Sequence, residues 1–150
     1  MEQKRPIVVA LGGNALIDPS KPPTVDNQIA VAERVVRPIA ELIDRGERVV
    51  VTHGNGPQVG FMALRSELGR EVVHEVPLDA LVANTQGSLG YLLQRALREE
   101  CRLRGLDIPV ISVLTEVEVD PNDKAFGHPT KPIGGFYTAL EAQLLQRDRG

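Results

Sequence analysis

Two glycine-asparagine loops, each directly after an apolar strand pattern, contain the residues of this chain best suited to chemistry. Glycine lets a ligand approach the backbone amides closely, and the amino end of a following helix carries about half a positive charge. Two such loops on neighbouring parallel strands therefore predict one shared anion-binding site. The loop residues are Gly12, Gly13, Asn14, Gly54, Asn55 and Gly56.

Neither loop has the spacing of a common nucleotide motif. A Walker phosphate loop requires Gly-x-x-x-x-Gly-Lys-Ser/Thr, a dinucleotide site requires Gly-x-Gly-x-x-Gly, and neither pattern fits here. One such loop alone is typical of a tight strand-to-helix connection, whereas two in consecutive strand-helix units favour a ligand site. Asn14 and Asn55 could donate side-chain hydrogen bonds to an oxyanion, or could hold turns in left-handed conformations.

Lysine is scarce, with four lysines against thirteen arginines. Lys131 differs from the other three because prolines flank it in the stiff stretch Pro129–Ile133. This context could hold an ammonium group over a site, and an ordinary surface lysine is the competing interpretation. His53 precedes the second loop with no carboxylate or second histidine at ligand spacing, which favours a structural hydrogen bond over a base or a metal site.

The bulk properties limit the classes of protein that the chain could represent. Its 150 residues suffice for one domain with its own core, and its net charge of −3 argues against nucleic-acid or anionic membrane partners. No apolar run approaches the roughly 20 residues of a membrane span, and residues 1–6 leave no room for a signal peptide. The lone Cys101 suits a reducing compartment. We therefore expect a cytoplasmic protein with a small-molecule partner.

Hydrophobic periodicity predicts an α/β fold with a mainly parallel sheet. Pro38 interrupts the first helix pattern, where we expect a kink or a break. Gly46 and Gly105 are predicted to end the first and third helices. Thr138 with Glu141 forms a capping box at the start of the last helix. The predicted strands are 6–11, 49–52 and 109–113, and the predicted helices are 26–45, 57–69, 78–104 and 139–146.

After the third predicted strand, the sequence no longer alternates between strand and helix patterns. Residues 115–120 alternate between valine and acidic residues, which predicts a strand in a small antiparallel excursion. Residues 121–136 are rich in proline and glycine and predict a hairpin-like projection.

Four motifs, spread over nearly the whole chain, resemble the carbamate kinases, a branch of the amino-acid kinase family. They are Val9–Ala15, Thr52–Gly60, Pro77–Asp79 with Thr85–Gly87, and Thr130–Gly134. The resemblance implies a three-layer αβα sandwich and covers the amino-terminal half of such an enzyme. It also implies that residues 1–150 form a single lobe, that residues 115–150 form a small projecting subdomain, and that the nucleotide-binding half lies outside this chain.

The resemblance further implies an enzyme that transfers a phosphoryl group between ATP and carbamate, with Mg²⁺, to form ADP and carbamoyl phosphate. In arginine breakdown the flux runs toward ATP, and the enzymes are homodimers. Gly12, Gly13 and Asn14 with Gly54, Asn55 and Gly56 would hold the carbamate and the phosphoryl group. Lys131 would be the catalytic cation that reaches in from the subdomain.

One feature separates the carbamate kinase interpretation from its alternatives, and another departs from the pattern of that family. Relatives that phosphorylate acetylglutamate or aspartate place a lysine just before the first loop, whereas this chain has Ala10. The charge must then come from elsewhere, and the resemblance to carbamate kinases implies that Lys131 supplies it. Gly135 stands where carbamate kinases commonly have proline, which would loosen the segment that carries Lys131. The alternatives are a truncated non-catalytic anion-binding or dimerisation module, and a relative with another carboxylate or phosphonate acceptor.

Overall fold

The computed structural model describes residues 5–133 and 137–149 of the chain. Within them, β1 (Ile7–Leu11) and β2 (Val49–His53) form a parallel sheet in which Leu11 is paired with His53. The α-helices are α1 (Val25–Asp44), α2 (Gly56–Gly69), α3 (Leu78–Leu103) and α4 (Ala139–Arg149). The predicted alternation of strands and helices is confirmed for these elements.

The hydrophobic core lies between the sheet and the helix pair α1 and α3. Val36 of α1 and Leu93 of α3 belong to this core, and Val9 and Val51 of the strands pack against it. Successive strand side chains point to opposite faces of a sheet. The alternate strand positions therefore face away from α1 and α3, and Val8 is among the exposed ones.

Glycines end the two long core helices, as the sequence predicts. Gly46 has a φ of 78° and Gly105 a φ of 75°, the left-handed region in which glycine carries no steric penalty. The backbone amide of the residue after each glycine donates a hydrogen bond to a carbonyl in the last turn of the helix. Glu47 N donates to Leu42 O over 3.1 Å, and Leu106 N donates to the Cys101 carbonyl oxygen over 2.9 Å.

Of the kink or break expected at Pro38, the break does not occur, because α1 continues through Pro38 from Val25 to Asp44. Proline removes one amide donor, which leaves the carbonyl of residue 34 without its helical partner. Both Arg34 and Pro38 are exposed, so water can hydrogen-bond to that carbonyl. The remainder of the helix is stabilised by its buried face against α3.

The two later strand predictions are also wrong for the described residues. Residues 109–113 and 115–120 have no strand partner there, because the sheet contains β1 and β2 alone. A strand exists only through hydrogen bonds to a neighbour, which alternation along the sequence does not supply. Side chains instead anchor the segment to α3: Ser112 Oγ donates to Gly90 O over 2.8 Å, and Thr115 N donates to Gln86 Oε1 over 2.8 Å.

Residues 113–133 are exposed throughout, and their one helical turn is the 3-10 turn Lys124–Phe126. No hairpin occurs in the described part of this segment, and the remainder of that prediction, with Gly135, falls at positions 134–136, outside the described residues. The capping box of α4 is confirmed. Thr138 N donates to Glu141 Oε2 over 2.7 Å, and Glu141 N donates to Thr138 Oγ1 over 3.3 Å. The backbone amide and the hydroxyl of Thr138 both donate to the Glu141 carboxylate, and these two bonds lower the pKa of that carboxyl.

No helix in the described ranges combines the length and the apolar character needed to cross a membrane.

Cys101 is a buried free thiol, and its burial raises its pKa above the ordinary value. The folded chain therefore disfavours the thiolate more than the unfolded chain does. The resulting stabilisation is complete below the unfolded pKa of about 8.5 and is lost as the pH rises through the folded pKa. We expect the free energy of unfolding to fall above that pH in urea titrations, and to fall less steeply in Cys101→Ala. Identical pH slopes for the two proteins would contradict this assignment.

Candidate functional site

The parallel pairing of β1 and β2 brings the two glycine loops into direct backbone contact. Gly54 N donates to Leu11 O over 2.8 Å, at the carboxyl ends of both strands. A Cβ atom added to Gly54 would lie 2.8 Å from Gly13 N, and one added to Gly13 would lie 3.1 Å from Pro57 Cδ. Real Cβ atoms do not approach a backbone nitrogen as closely as 2.8 Å. Position 54 therefore requires glycine for the loops to lie this close.

Several backbone amides at this contact remain available as donors. In the described part of the chain, the amides of Gly13, Asn14 and Gly56 donate no hydrogen bond to another protein group. Gly56 is the first residue of α2, where amides lack intrahelical partners and the helix dipole is positive. Free N–H groups at a helix amino terminus are suited to binding an anion.

The first loop opens only a short helix. It leads into a single 3-10 turn, Gly13–Leu16, and α1 begins at Val25, next to its predicted start at residue 26. Ile17 is extended, with φ −133° and ψ 139°, and a proline-containing loop follows it. Only the second loop therefore gains a helix dipole, and the first contributes backbone amides alone.

A side-chain hydrogen bond from Asn55 joins the second loop to α3. Asn55 Nδ2 donates to Thr85 Oγ1 over 2.9 Å, and that hydroxyl donates in turn to Val82 O over 2.8 Å. Thr85 is only 1% exposed, so water does not compete for this bond. The sequence predicted no role for Thr85, because no local pattern relates positions 55 and 85.

The left-handed alternative for the two asparagines is wrong. Among the described residues, positive φ occurs only at Gly46 and Gly105, and Asn55 has a φ of −145°. The Asn14 side chain is exposed and makes no hydrogen bond to a described residue, so its amide remains free to donate. The two asparagines thus differ: one holds the loop in place, and the other faces solvent beside it.

Asn55→Ala should lower the free energy of unfolding by about 1 kcal/mol, because the hydroxyl of Thr85 then loses a buried partner. The same substitution should cost less in a Thr85→Val background, where the bond is already absent. Urea denaturation of both single variants and the double variant measures this coupling. Asn14→Ala, which removes no hydrogen bond, is the control for stability. Additive effects of Asn55→Ala and Thr85→Val would show that the bond contributes nothing.

Two further side chains lie next to the second loop. His53 Nδ1 lies 3.3 Å from Gly54 O, a contact in which Nδ1 can donate a hydrogen bond to the carbonyl in the tautomer that carries the proton on Nδ1. The predicted structural hydrogen bond of His53 agrees with this geometry. Gln58, in the first turn of α2, is 6% exposed, and neither of its carboxamide atoms has a partner in the described chain. Such orphaned groups are rare and indicate where a water molecule or a ligand completes the hydrogen bonding.

Lys131 is not joined to the loops. It lies exposed in a segment without regular secondary structure, and no hydrogen bond or ion pair within the described ranges connects it to either loop. No group of three or more His, Cys, Asp or Glu residues that could hold a metal occurs there either. The structure therefore brings together the six loop residues, while the place of Lys131 in the site stays a prediction.

A separate cleft of about 910 Å³ lies between α1 and α3 and contains none of the loop residues. Arg95, Arg98 and Arg102 line it, together with acidic residues that include Glu99. Arg102 Nη2 lies 2.7 Å from Glu99 Oε1, so part of the positive charge is already neutralised. This arginine-lined cleft is the chief rival location for an anion.

Sequence comparisons place these loops in a known family. The model of the amino acid kinase family matches residues 5–130. The carbamate kinase of Pyrococcus horikoshii is 42% identical over 146 residues, which is 96% of this chain and 46% of that protein. Carbamate kinase 2 of Enterococcus faecalis is 50% identical over 136 residues, which is 90% of this chain and 43% of that protein. The chain thus spans about half the length of these relatives.

Solved structures agree with the sequence comparisons. The carbamate kinase of Giardia lamblia bound to citric acid matches with a TM-score of 0.88 and 36% identity, over 95% of this chain and 46% of that chain. The same enzyme bound to AMP-PNP matches with a TM-score of 0.81 over the same shares. These matches confirm the predicted α/β sandwich fold. Since the family model spans most of the sequence and the solved relatives share the fold, the chain belongs to the amino acid kinase family.

Proposed function

We propose that the intact protein is a carbamate kinase and that this chain supplies its carbamate- and phosphoryl-binding half. The observation that carries the proposal is the backbone contact between the two glycine loops, with Gly54 placed against Gly13 N. The support from relatives is the 42% and 50% identity to two carbamate kinases. The proposed reaction converts ATP and carbamate to ADP and carbamoyl phosphate, and it also runs in reverse.

The chemistry requires positioning and charge neutralisation more than covalent help from the protein. A carbamate oxygen attacks the γ-phosphorus of ATP, a new P–O bond forms, and the bond to the leaving ADP oxygen breaks. Negative charge spreads over the phosphoryl oxygens as this occurs. The amides of Gly13, Asn14 and Gly56 would donate to these oxygens and to the carbamate, with the positive end of α2 directed at them. Gly12, Gly54 and Asn55 would keep that backbone in place.

Lys131 would supply the positive side-chain charge that the loops lack. Ala10, which precedes the first loop, carries none, and the second loop contains no cationic residue. The ammonium of Lys131 would bind an oxygen of the transferred phosphoryl group and stabilise the charge that develops there. This assignment rests on the Thr130–Gly134 motif, and Lys131 is exposed and unpaired among the described residues.

ATP, ADP and Mg²⁺ would be bound mainly by groups outside this chain. The described loops offer N–H donors, which bind anions, and no metal-binding cluster accompanies them in the described ranges. Mg²⁺ would neutralise charge on the nucleotide phosphates, and we assign it no ligand among these residues. Residence in the cytoplasm, homodimerisation and a part in arginine breakdown complete the proposal, and these rest on the resemblance alone.

ATP formation by the intact protein tests the proposal. ADP is supplied with carbamoyl phosphate, or with N-acetylglutamyl phosphate, and ATP is measured with luciferase. We expect ATP only in the reaction that contains ADP and carbamoyl phosphate. ATP from the acetylglutamyl compound alone would show a different acceptor, and no ATP from either would favour a non-catalytic module. Both of the latter results contradict the proposal.

A further inference from the structure

Gln58 is a buried polar residue to which the proposed reaction gives no part. Only 6% of the residue is exposed, and its Nε2 and Oε1 atoms are buried without a hydrogen-bond partner in the described chain. Among the described residues, Gln58 is alone in having buried side-chain polar atoms that lack a partner. Burial of a carboxamide without hydrogen bonds destabilises the folded chain. A group of this kind in a native protein calls for a function or a bound molecule that completes its hydrogen bonding.

The position of Gln58 connects it with the paired loops. It is the third residue of α2, which packs against the 3-10 turn Gly13–Leu16 of the first loop. Pro57, the residue before it, approaches the same loop, since a Cβ atom added to Gly13 would lie 3.1 Å from Pro57 Cδ. The partnerless amide of Gly56 lies two residues before Gln58. The orphaned carboxamide therefore belongs to the helical turn that offers an amide to an anion.

A glutamine three residues after a helix N-cap can form one half of a capping box, in which its side-chain oxygen accepts from the N-cap amide. The N-cap of α2 is Asn55, and its backbone amide donates to no group in the described chain. Asn55 makes no side-chain cap bond, and its Nδ2 donates to Thr85 Oγ1 instead. Gln58 Oε1 and Asn55 N are thus an acceptor and a donor, three residues apart, that both lack a partner in the part of the chain described.

We infer that Gln58 is a positioning residue of the anion site, whose carboxamide gains its hydrogen bonds when an anion occupies the paired loops. The anion would accept from the partnerless amides of both loops. Gln58 Oε1 would then accept from Asn55 N and fix the first turn of α2 around the bound anion. Because this role requires that the loops bind an anion, it rests on the proposed function. Gln58 would act through the backbone of the second loop and not by touching the reacting atoms.

This role links stability and affinity with opposite signs. The orphaned carboxamide destabilises the free chain, and the relief of that penalty in the occupied site adds to the free energy of binding. An apolar side chain of similar length has neither the penalty nor the relief. Gln58→Met should therefore stabilise the free chain and weaken its binding of the anion. A residue that serves only in packing would not produce this pair of effects.

The test measures both quantities on the unmodified chain and on two variants. Thermal unfolding gives Tm, and titration of the ¹⁵N-labelled chain with carbamoyl phosphate gives Kd from the shifts of the loop amides. We expect Gln58→Met to raise Tm by roughly 2–4 °C and to raise Kd about tenfold, which is the effect of about one hydrogen bond in each case. Gln143→Met makes the same change at an exposed position of α4 and should alter neither quantity.

The amide resonance of Asn55 gives a second reading from the same titration. Its proton should move downfield in the unmodified chain as carbamoyl phosphate binds, because the amide then donates to Gln58 Oε1. This shift should be absent in Gln58→Met. Far-UV circular dichroism shows whether Gln58→Met is folded, and Gln58→Leu replaces it if it is not.

Three results would overturn the role of Gln58. A lower Tm for Gln58→Met would show that the carboxamide already has partners in the free chain, such as a buried water molecule. An unchanged Kd would show that the anion site does not use it. An Asn55 shift that persists in Gln58→Met would show that another group accepts from that amide.

The proposed function fails in a different way from the role of Gln58. If the unmodified chain shows no saturable shifts at Gly13, Asn14 and Gly56, the loops do not bind the anion, and both proposals are contradicted. If those shifts occur and only the Gln58→Met results disagree with expectation, the anion site stands and the role of Gln58 is wrong.

Discussion

Gly54→Ala should lower the free energy of unfolding by about 1–3 kcal/mol, the usual cost of forcing an extra methyl group into a packed site. The added Cβ would lie 2.8 Å from Gly13 N, a backbone atom that cannot rotate away as a side chain would. The two loops must therefore separate, and the hydrogen bond from Gly54 N to Leu11 O would lengthen with them. Urea denaturation followed by circular dichroism measures the change.

The matched control for Gly54→Ala is Gly87→Ala. Gly87 lies inside α3, and a Cβ added there would meet nothing within 4 Å. Alanine is a better helix former than glycine, so this variant should gain up to about 1 kcal/mol. In the intact protein, Gly54→Ala should also slow ATP formation by about 10²-fold, because a displacement of the loops by about 1 Å disrupts positioning. Equal stability of Gly54→Ala and the unmodified chain would contradict a close contact between Gly54 and Gly13.

Lys131→Ala should reduce kcat for ATP formation from carbamoyl phosphate by about 10²–10³-fold, the typical effect of removing one group that stabilises developing oxyanion charge. The stability of the chain should not change, because Lys131 is exposed and makes no bond within the described ranges. Steady-state kinetics of the intact protein, with denaturation of the same samples, separates the two effects.

Lys124→Ala is the control, since Lys124 is a second exposed lysine in the same segment, within the 3-10 turn Lys124–Phe126. It should leave kcat within about twofold of the unmodified protein. Equal losses at positions 124 and 131 would indicate a general effect of positive charge, and no loss at 131 would remove Lys131 from the mechanism.

The parts of the fold that could be predicted from sequence are those fixed by local chemistry. Gly46 and Gly105 end their helices because each adopts a positive φ, and Thr138 with Glu141 begins α4 through reciprocal hydrogen bonds. Apolar runs predicted β1 and β2. The parallel pairing of these two strands brings the glycine loops next to each other. These features need few residues close in sequence, and so a single sequence reveals them.

The features that sequence did not predict depend on residues distant along the chain. Residues 109–113 have a strand's alternation, but a strand also needs a neighbour, and none is present among the described residues. The bond from Asn55 to Thr85 joins positions thirty residues apart. Pro38 lies in an unbroken helix at an exposed position of α1, whose other face is buried in the core, and the local sequence does not show which residues cover that face.

The most direct measurement of the central claim is a titration of the ¹⁵N-labelled chain with carbamoyl phosphate, followed by amide chemical shifts. We expect saturable shifts at Gly13, Asn14 and Gly56, the loop amides without partners in the described chain, and their loss in Gly54→Ala. Shifts confined to the arginine-lined cleft, at Arg95, Arg98 and Arg102, or no shifts at the loops, would contradict the claim that the paired glycine loops bind the anion.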